Sequence, residues 1–261
     1  MTTPAAFSPA VLISLSSFGA AEVRRHGQAW FTALAADAGA DGVEVRGELL
    51  NGGDGELRAI GALARDRGLA LVCSSPEGLW TDDGLCADAA LDRGLAAART
   101  LGAPRLKMSI GGFDPSQPGG LARLARRLTA ADITLLIEND QTATAGTVPP
   151  LQAFFAAARA EGLPLGMTFD MGNWHWTGED PQAAAAAFAA QVAYVHCKGV
   201  QRQPHQWVAV PLAASSAPWR TLLRALPADV PRAIEYPLQG EDLLAVTRQQ
   251  IDLVRHTEIT R

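Results

Sequence analysis

The sequence contains 261 residues with a net charge of −5, and 48% of the residues are hydrophobic while 19% are charged. This composition predicts a folded protein with a sizeable core rather than a disordered chain. The acidic balance and the lack of long basic runs argue against a nucleic acid partner, because phosphate backbones are bound by clustered lysines and arginines.

The N-terminal region and the cysteines bear on the compartment. No apolar run approaches the roughly 20 residues that a membrane span requires, and no positive segment precedes the first apolar stretch, as it would in a secretory signal. The three cysteines, Cys73, Cys86 and Cys197, form no CxxC pair, and their number is odd. These features predict a cytoplasmic protein with free thiols and no membrane partner.

Eight short β-like runs recur along the chain at intervals of roughly 30 residues. They cover residues 11–15, 42–46, 69–74, 105–110, 133–138, 165–170, 192–197 and 232–236. Helical patterns rich in alanine, leucine and arginine follow them at residues 29–39, 55–68, 88–102, 121–132, 151–162, 181–191, 219–227 and 241–256. Glycines at several ends and prolines at several starts of these patterns are the expected helix boundaries.

Eight strand-then-helix units without a linker predict a closed (β/α)8 TIM barrel, with residues 1–261 forming a single domain. An open doubly wound α/β sheet is the alternative fold. It is disfavoured because no GxGxxG motif follows the first strand and because the count of eight suits closure.

The ends of the last four strands have a common chemical character. In such barrels the chemistry lies at the carboxyl ends of the strands, and strands five to eight end in Glu138, Asp170, His196 and Glu235. Three carboxylates with one imidazole suit a single divalent metal ion, with Mn²⁺, Mg²⁺ or Co²⁺ favoured and Zn²⁺ also compatible.

Each of these four residues also has a simpler interpretation. Asp170 could bond its own turn in "FDMGNWHW", His196 could be a core histidine, and the glutamates could pair with arginines. Several carboxylates buried together need a compensating cation, because each uncompensated charge costs several kcal/mol. The set therefore indicates a metal site or strong basic partners.

The sequence resembles the xylose-isomerase-like TIM-barrel superfamily, which includes ketose 3-epimerases, hydroxypyruvate isomerase, inosose dehydratase and endonuclease IV. The resemblance runs over nearly the whole chain, through "VLISLSSFG", "DGVEVR", "SSPEGLW", "LIEND", "FDMGNWHWTGEDP", "YVHCKG" and "AIEY". It implies that the four strand-end residues bind the metal and that Glu138 and Glu235 also perform acid/base catalysis.

The resemblance further implies that Arg202, six residues after the histidine, contacts substrate. One position departs from the ketose epimerase pattern, since Asn173 stands where those enzymes have a histidine. An asparagine can donate a hydrogen bond to a sugar hydroxyl, but it cannot exchange a proton near neutral pH. His175, two residues further on, either replaces that histidine or is an exposed loop residue.

The constellation predicts a metal-dependent isomerase or epimerase of carbohydrate metabolism, which removes a proton next to a carbonyl and forms a metal-stabilised enediolate. The partner is then a small carbohydrate-like substrate, and the resemblance allows a homo-oligomer. A dehydratase acting on an inosose-like substrate and a non-catalytic sugar-binding barrel remain alternatives. Endonuclease-like hydrolysis is disfavoured, because its trinuclear zinc site needs more histidines than the strand-end loops supply.

Further residues are weaker candidates for substrate contact. Glu44 and Lys107 lie in the second and fourth strands and Lys198 follows the histidine by two, with an ion pair inside the barrel as the alternative role. Four tryptophans lie in loops of the same face, where a ring could stack on a sugar or simply cover the barrel mouth. They are Trp80, Trp174, Trp176 and Trp207, of which Trp80 is the one assigned to substrate binding.

Overall fold

The computed structural model describes residues 9–117 and 119–257. Eight parallel strands form a closed barrel, and they are β1 (Val11–Ser14), β2 (Gly42–Arg46), β3 (Ala70–Trp80), β4 (Arg105–Gly111), β5 (Thr134–Glu138), β6 (Gly166–Asp170), β7 (Val192–Cys197) and β10 (Arg232–Ile234). Their order around the barrel is β1, β10, β7, β6, β5, β4, β3, β2. Two further strands, β8 (Gly199–Arg202) and β9 (Trp207–Val210), form an antiparallel hairpin after β7.

The helices lie between the strands. They are α1 (Ala20–His26), α2 (Gln28–Asp37), α3 (Gly53–Arg67), α4 (Asp88–Leu101), α5 (Gly120–Ala131), α6 (Val148–Ala160), α7 (Trp174–Thr177), α8 (Pro181–Phe188), α9 (Trp219–Ala225) and α10 (Leu243–Arg255). Gly68 and Gly102 end α3 and α4 in the left-handed conformation, which glycine adopts without a steric penalty.

The prediction of a (β/α)8 barrel is confirmed, and the eight predicted runs are the eight barrel strands. Most ends agree within one residue, and the carboxyl ends of two strands differ by more. β3 continues to Trp80, and β10 ends at Ile234, so that Glu235 follows the strand. The hairpin β8–β9 and the short helices α1 and α7 were not predicted, because each is only four to seven residues long and such lengths carry little periodicity.

The barrel interior has an apolar layer beneath a charged one. Leu12, Val72, Leu136, Tyr194 and Ala233 form a separate buried cluster. Leu136, Tyr194 and Ala233 precede Glu138, His196 and Glu235 by two residues each. Since alternate residues of a strand point to the same face, the charged residues stand above this apolar layer at the carboxyl ends of the strands.

The larger hydrophobic cluster fills the space between strands and helices and contains Cys73 and Cys197. Both thiols are buried, and all three cysteines are free. No helix in the described ranges combines the length and apolar character that a membrane crossing would need.

Candidate metal centre

Four side chains converge at the carboxyl ends of β5, β6, β7 and β10. Each of Glu138, Asp170, His196 and Glu235 offers one ligand atom, and these atoms all lie within 4.8 Å of one another. Asp170 and His196 are buried, whereas the two glutamates are slightly exposed. The structure thus brings together the four residues that the sequence predicts as ligands.

The imidazole of His196 uses its two nitrogens differently. Nδ1 lies 3.0 Å from Glu138 Oε1, 3.0 Å from Glu235 Oε2 and 3.7 Å from Asp170 Oδ2. Nε2 lies 2.7 Å from Oε2 of the fully buried Glu44. A hydrogen bond from Nε2–H to Glu44 fixes the ring and leaves Nδ1 facing three carboxylates, which is the arrangement that histidine adopts in metal sites.

Asp170 performs both roles considered for it, with one oxygen for each. Oδ1 accepts hydrogen bonds from the backbone N–H groups of Gly172 at 2.8 Å and Asn173 at 2.9 Å, at the start of α7. Oδ2 is buried and accepts no hydrogen bond of acceptable geometry, although Lys198 Nζ lies 2.7 Å away. A buried carboxylate oxygen of this kind suits a cation at the centre of the four side chains.

These residues fit a divalent ion. Three carboxylates provide the hard oxygen donors that Mg²⁺ and Mn²⁺ prefer, and one imidazole nitrogen is also compatible with Co²⁺ or Zn²⁺.

Three basic side chains neutralise the same carboxylates. Lys107 Nζ lies 2.6 Å from Glu138 Oε2 and 3.2 Å from Glu44 Oε1. Lys198 Nζ lies 2.7 Å from Asp170 Oδ2 and 2.8 Å from Glu235 Oε2.

The third cation is Arg46, whose Nη1 lies 2.6 Å from Glu235 Oε1 and 3.1 Å from Glu44 Oε1. The ion-pair alternative is therefore realised for Glu235, alongside the metal-compatible geometry. Arg46 was not predicted, although it ends the same strand that carries Glu44.

The charges shift the pKa values of this group in consistent directions. Burial raises the pKa of Glu138, but Lys107 and His196 outweigh it and the net pKa is lowered. Burial also raises the pKa of Glu235, but Lys198, His196 and Arg46 hold it well below its ordinary value. Burial lowers the pKa of His196, but Glu44 and Glu235 raise it well above its ordinary value.

The side chain of Asn173 is hydrogen-bonded within the candidate metal centre and is not open to a ligand. Its Nδ2 donates to the backbone oxygen of Asn139 at 2.8 Å, and its Oδ1 accepts from Gln141 Nε2 and Lys198 Nζ, each at 3.0 Å. Only 5% of its surface is exposed. These internal bonds make Asn173 a support for Lys198, and substrate contact by Asn173 stays a prediction.

Trp207 on β9 brings two predicted substrate residues together. The His175 ring lies 4.7 Å from the Trp207 ring, and the Arg202 guanidinium lies 5.3 Å from the same ring. His175 is half-buried, and burial lowers its pKa. His175 is therefore a partly buried residue of α7 rather than an exposed loop residue, and its substrate role stays a prediction.

Trp80 packs inside the protein. Its ring contacts Phe113 and Phe154 edge-on at centroid distances of 4.9 and 5.6 Å, and 5% of the residue is exposed. Trp174 is fully buried. These positions leave little surface on either ring for a ligand. Trp207 is instead the tryptophan that lies beside two candidate substrate-binding residues, His175 and Arg202.

Two cavities meet at Lys198. One, of about 290 Å³, is bordered by Glu235, Lys198, Ser16 and Ser17. The other, of about 140 Å³, is bordered by Lys198, Met171, His175 and Trp219. Lys198 therefore separates the space above the candidate ligand Glu235 from a more enclosed side cavity.

The chain matches the family model described as a xylose isomerase-like TIM barrel over residues 32–255. It belongs to this family. No curated protein matches it in sequence. The xylose isomerase-like barrel is similar to solved structures at 11–17% identity, a level at which the similarity establishes the fold alone.

Three structures illustrate the range of relatives. A xylose isomerase-like TIM barrel/4-hydroxyphenylpyruvate dioxygenase fusion protein is 17% identical with a TM-score of 0.70, over 94% of this chain and 41% of the fusion chain. D-psicose 3-epimerase from Clostridium cellulolyticum H10, solved with D-tagatose, is 11% identical with a TM-score of 0.66, over 95% and 99% of the chains. The probable 3-DHS dehydratase AsbF from Bacillus anthracis is 12% identical with a TM-score of 0.65, over 94% and 98%.

Proposed function

We propose that the protein is a divalent-metal-dependent enzyme that removes a proton from a carbon next to a carbonyl in a small polyhydroxylated substrate, and that it acts as an isomerase or epimerase. The supporting observation is the environment of His196, whose Nε2 is anchored by Glu44 while Nδ1 faces Glu138, Asp170 and Glu235. The neighbouring D-psicose 3-epimerase structure supports the same class of reaction.

Glu138, Asp170, His196 and Glu235 would hold the ion. When bound, a divalent ion polarises a substrate carbonyl and stabilises the negative charge that forms as the adjacent carbon loses its proton. Asp170 and His196 are fully buried, so that their role is to hold and orient, whereas the side chains of Glu138 and Glu235 are 16% and 11% exposed. The two glutamates are then the groups available for proton transfer.

Glu138 is the better base of the two glutamates. It contacts one cationic lysine, Lys107, whereas Glu235 contacts both Arg46 and Lys198. Each additional cation stabilises the ionised carboxylate and weakens it as a base. In this proposal Glu138 removes the proton, and return of a proton to the opposite face gives an epimer whereas return to the neighbouring carbon gives an isomer.

A dehydratase is the second candidate, and the contacts of Glu235 favour it. A carboxylate held by two cations is a poor second base, while the neighbouring Lys198 ammonium can donate a hydrogen bond to a hydroxyl that departs as water with the proton that Glu138 removes. The neighbour described as a probable 3-DHS dehydratase is consistent with this reaction. Both candidates take a small substrate, and neither requires nucleic acid.

Hydrogen exchange in D₂O tests the proposal. The Mg²⁺-loaded protein would be incubated with ketoses, inosose-like polyols and small hydroxy-keto acids, and proton NMR would follow C–H exchange, rearrangement and loss of water. We expect exchange with at least one substrate and a loss of about 10² to 10⁴-fold in Glu138→Gln at saturating metal. The exposed Glu161→Gln serves as the matched control and should be unaffected.

The result also separates the reaction classes. Exchange with rearrangement supports the isomerase or epimerase, and exchange with an alkene product supports the dehydratase. The proposal would be contradicted if the protein binds some of these compounds but exchanges no proton of any of them, and if Glu138→Gln binds them as the wild type does. The protein would then be a binding barrel.

A further inference from the structure

The two lysines of the chain have an unusual distribution. Of the 22 lysine and arginine residues, only Lys107 and Lys198 are lysines, and both contact carboxylates of the candidate metal centre. An ammonium is a compact point charge, whereas a guanidinium is a planar fork. The centre thus uses the compact cation at two of the three positions where a basic side chain contacts the candidate ligands, and a guanidinium, that of Arg46, at the third.

The surroundings of the two lysines differ. Lys107 is 1% exposed and borders neither of the two cavities that meet at Lys198. Lys198 borders both of them, and its stem packs over Gly172, where a Cβ atom would lie 2.7 Å from Lys198 Cδ. Lys107 is therefore an internal counter-ion, while Lys198 is a cation that a ligand can reach.

The carboxylate oxygens that Lys198 contacts are the ones that face the centre. Asp170 Oδ2 and Glu235 Oε2 lie 2.7 and 2.8 Å from Lys198 Nζ, and the same two oxygens lie 3.7 and 3.0 Å from His196 Nδ1. An oxygen shared with a divalent ion is a weaker partner for an ammonium, and the two cations repel each other. When the centre holds a metal ion, the neighbouring carboxylates therefore no longer neutralise the charge of Lys198 fully.

We infer that Lys198 binds a negatively charged group of the substrate, and that the substrate is an anionic hydroxy-keto compound rather than a neutral sugar. This inference rests on the proposed function. A ligand in the cavity of about 290 Å³ would lie against both Glu235 and Lys198, so that a carboxylate on the substrate can replace the partners that the metal takes. Lys198 is then a substrate-binding residue that determines specificity.

Two small probes of equal carbon number test the inference. Hydroxypyruvate and dihydroxyacetone each carry a hydroxyl next to a ketone, but only hydroxypyruvate has a carboxylate. Calorimetry on the Mn²⁺-loaded protein should show that hydroxypyruvate binds about tenfold or more tightly than dihydroxyacetone, as expected for a charge-assisted contact. Lys198→Met should lose most of this preference while binding Mn²⁺ at least as tightly as the wild type, because a competing cation is removed.

A control variant that removes a different positive charge distinguishes direct contact between Lys198 and the carboxylate from the general effect of positive charge near the site. Arg220 lies on α9 with its guanidinium 4.2 Å from the ring of Trp219, a residue that borders the side cavity. Arg220→Met removes one positive charge from this region and should keep the preference for hydroxypyruvate. A preference that survives in Lys198→Met would show that the ion alone binds the carboxylate, and it would overturn the inference.

A second measurement does not depend on the folding of a variant. Because the chain has two lysines, wild-type protein with ¹³C-labelled lysine ε-carbons gives two side-chain resonances. In the Mg²⁺-loaded protein, hydroxypyruvate should shift one of them and dihydroxyacetone neither. Unshifted resonances, equal affinity for the two probes, or undetectable hydroxypyruvate binding would overturn the inference while metal binding stands, whereas absent metal binding would overturn the proposed function as well.

Discussion

At the scale of single residues, the centre depends on side chains that have two contacts at once. Asp170 bonds the turn before α7 through Oδ1 and faces the centre through Oδ2. His196 is held through Nε2 and faces the carboxylates through Nδ1. The residues that hold the candidate ligands should therefore also contribute to metal affinity.

Glu44→Gln tests the anchoring of His196. The amide keeps the shape of the side chain but removes the negative charge opposite Nε2, so that the imidazole becomes a weaker and less well oriented ligand. We expect Mn²⁺ affinity, measured by calorimetry, to fall about 10 to 100-fold. Glu48→Gln is the matched control, because Glu48 contacts Arg46 and not His196. Equal affinities for the two variants would refute an anchoring role for Glu44.

Gly172→Ala tests the packing of Lys198. An added Cβ would lie 2.7 to 3.1 Å from three carbons of the Lys198 stem, which cannot move without disturbing its ion pairs. We expect the free energy of unfolding, from urea denaturation, to fall by about 1–3 kcal/mol.

A glycine in open surroundings provides the control for this substitution. Gly55 lies in α3, where an added Cβ meets nothing within 4 Å. Gly55→Ala should therefore be neutral or stabilise by up to about 1 kcal/mol. A harmless Gly172→Ala would show that Lys198 can relocate freely.

At the scale of elements, strand alternation accounts for what could be predicted from the sequence. Glu138, Asp170 and His196 end runs of β-like residues, so that a barrel must bring them to one mouth. Arg46 also ends a strand, but its contact with Glu235 joins residues that are 189 positions apart. No local sequence pattern predicts a contact over such a separation. The hairpin β8–β9, which positions Trp207 beside His175 and Arg202, was missed for the related reason that its strands are four residues each.

The N-cap of α10 gives a prediction at this scale. Asp242 accepts a hydrogen bond from the backbone N–H of Ala245 at 2.9 Å, which satisfies a donor that has no partner within the helix. Asp242→Ala should lower the free energy of unfolding by about 1 kcal/mol. The neighbouring Glu241→Ala should change it by less than about 0.5 kcal/mol. Thermal or urea unfolding compares the two, and equal losses would contradict a capping role.

At the scale of the whole molecule, the balance of charge in the barrel mouth links metal binding to pH. The carboxylates of Glu138 and Glu235 have lowered pKa values, and the imidazole of His196 has a raised one. A metal ion takes neutral imidazole, so that binding displaces a proton wherever His196 is protonated. Metal affinity should therefore increase as the pH rises.

The metal-free protein should lose stability at both ends of the pH range. The two glutamates contribute stability above their ordinary value of 4.5, and this contribution is lost as the pH falls through their lowered pKa values. His196 contributes fully below its ordinary value of 6.5, and this contribution is lost as the pH rises through the raised pKa.

Urea unfolding with chelator at a series of pH values measures the loss of stability at low pH, the acidic arm, and at high pH, the alkaline arm. His196→Gln should flatten the alkaline arm, and it should only weaken the acidic arm, because Lys107, Lys198 and Arg46 still lower the pKa values of Glu138 and Glu235. An alkaline arm of unchanged slope in this variant would contradict the assignment to His196.

Metal titration of the chelator-treated protein tests the central claim most directly. Calorimetry with Mn²⁺, Co²⁺, Mg²⁺ and Zn²⁺ in turn should find one site per chain, and His196→Ala should weaken binding at least about 100-fold. No binding by the wild type, or equal binding by His196→Ala, would contradict a metal centre at these four residues and leave their carboxylates neutralised by Lys107, Lys198 and Arg46 alone.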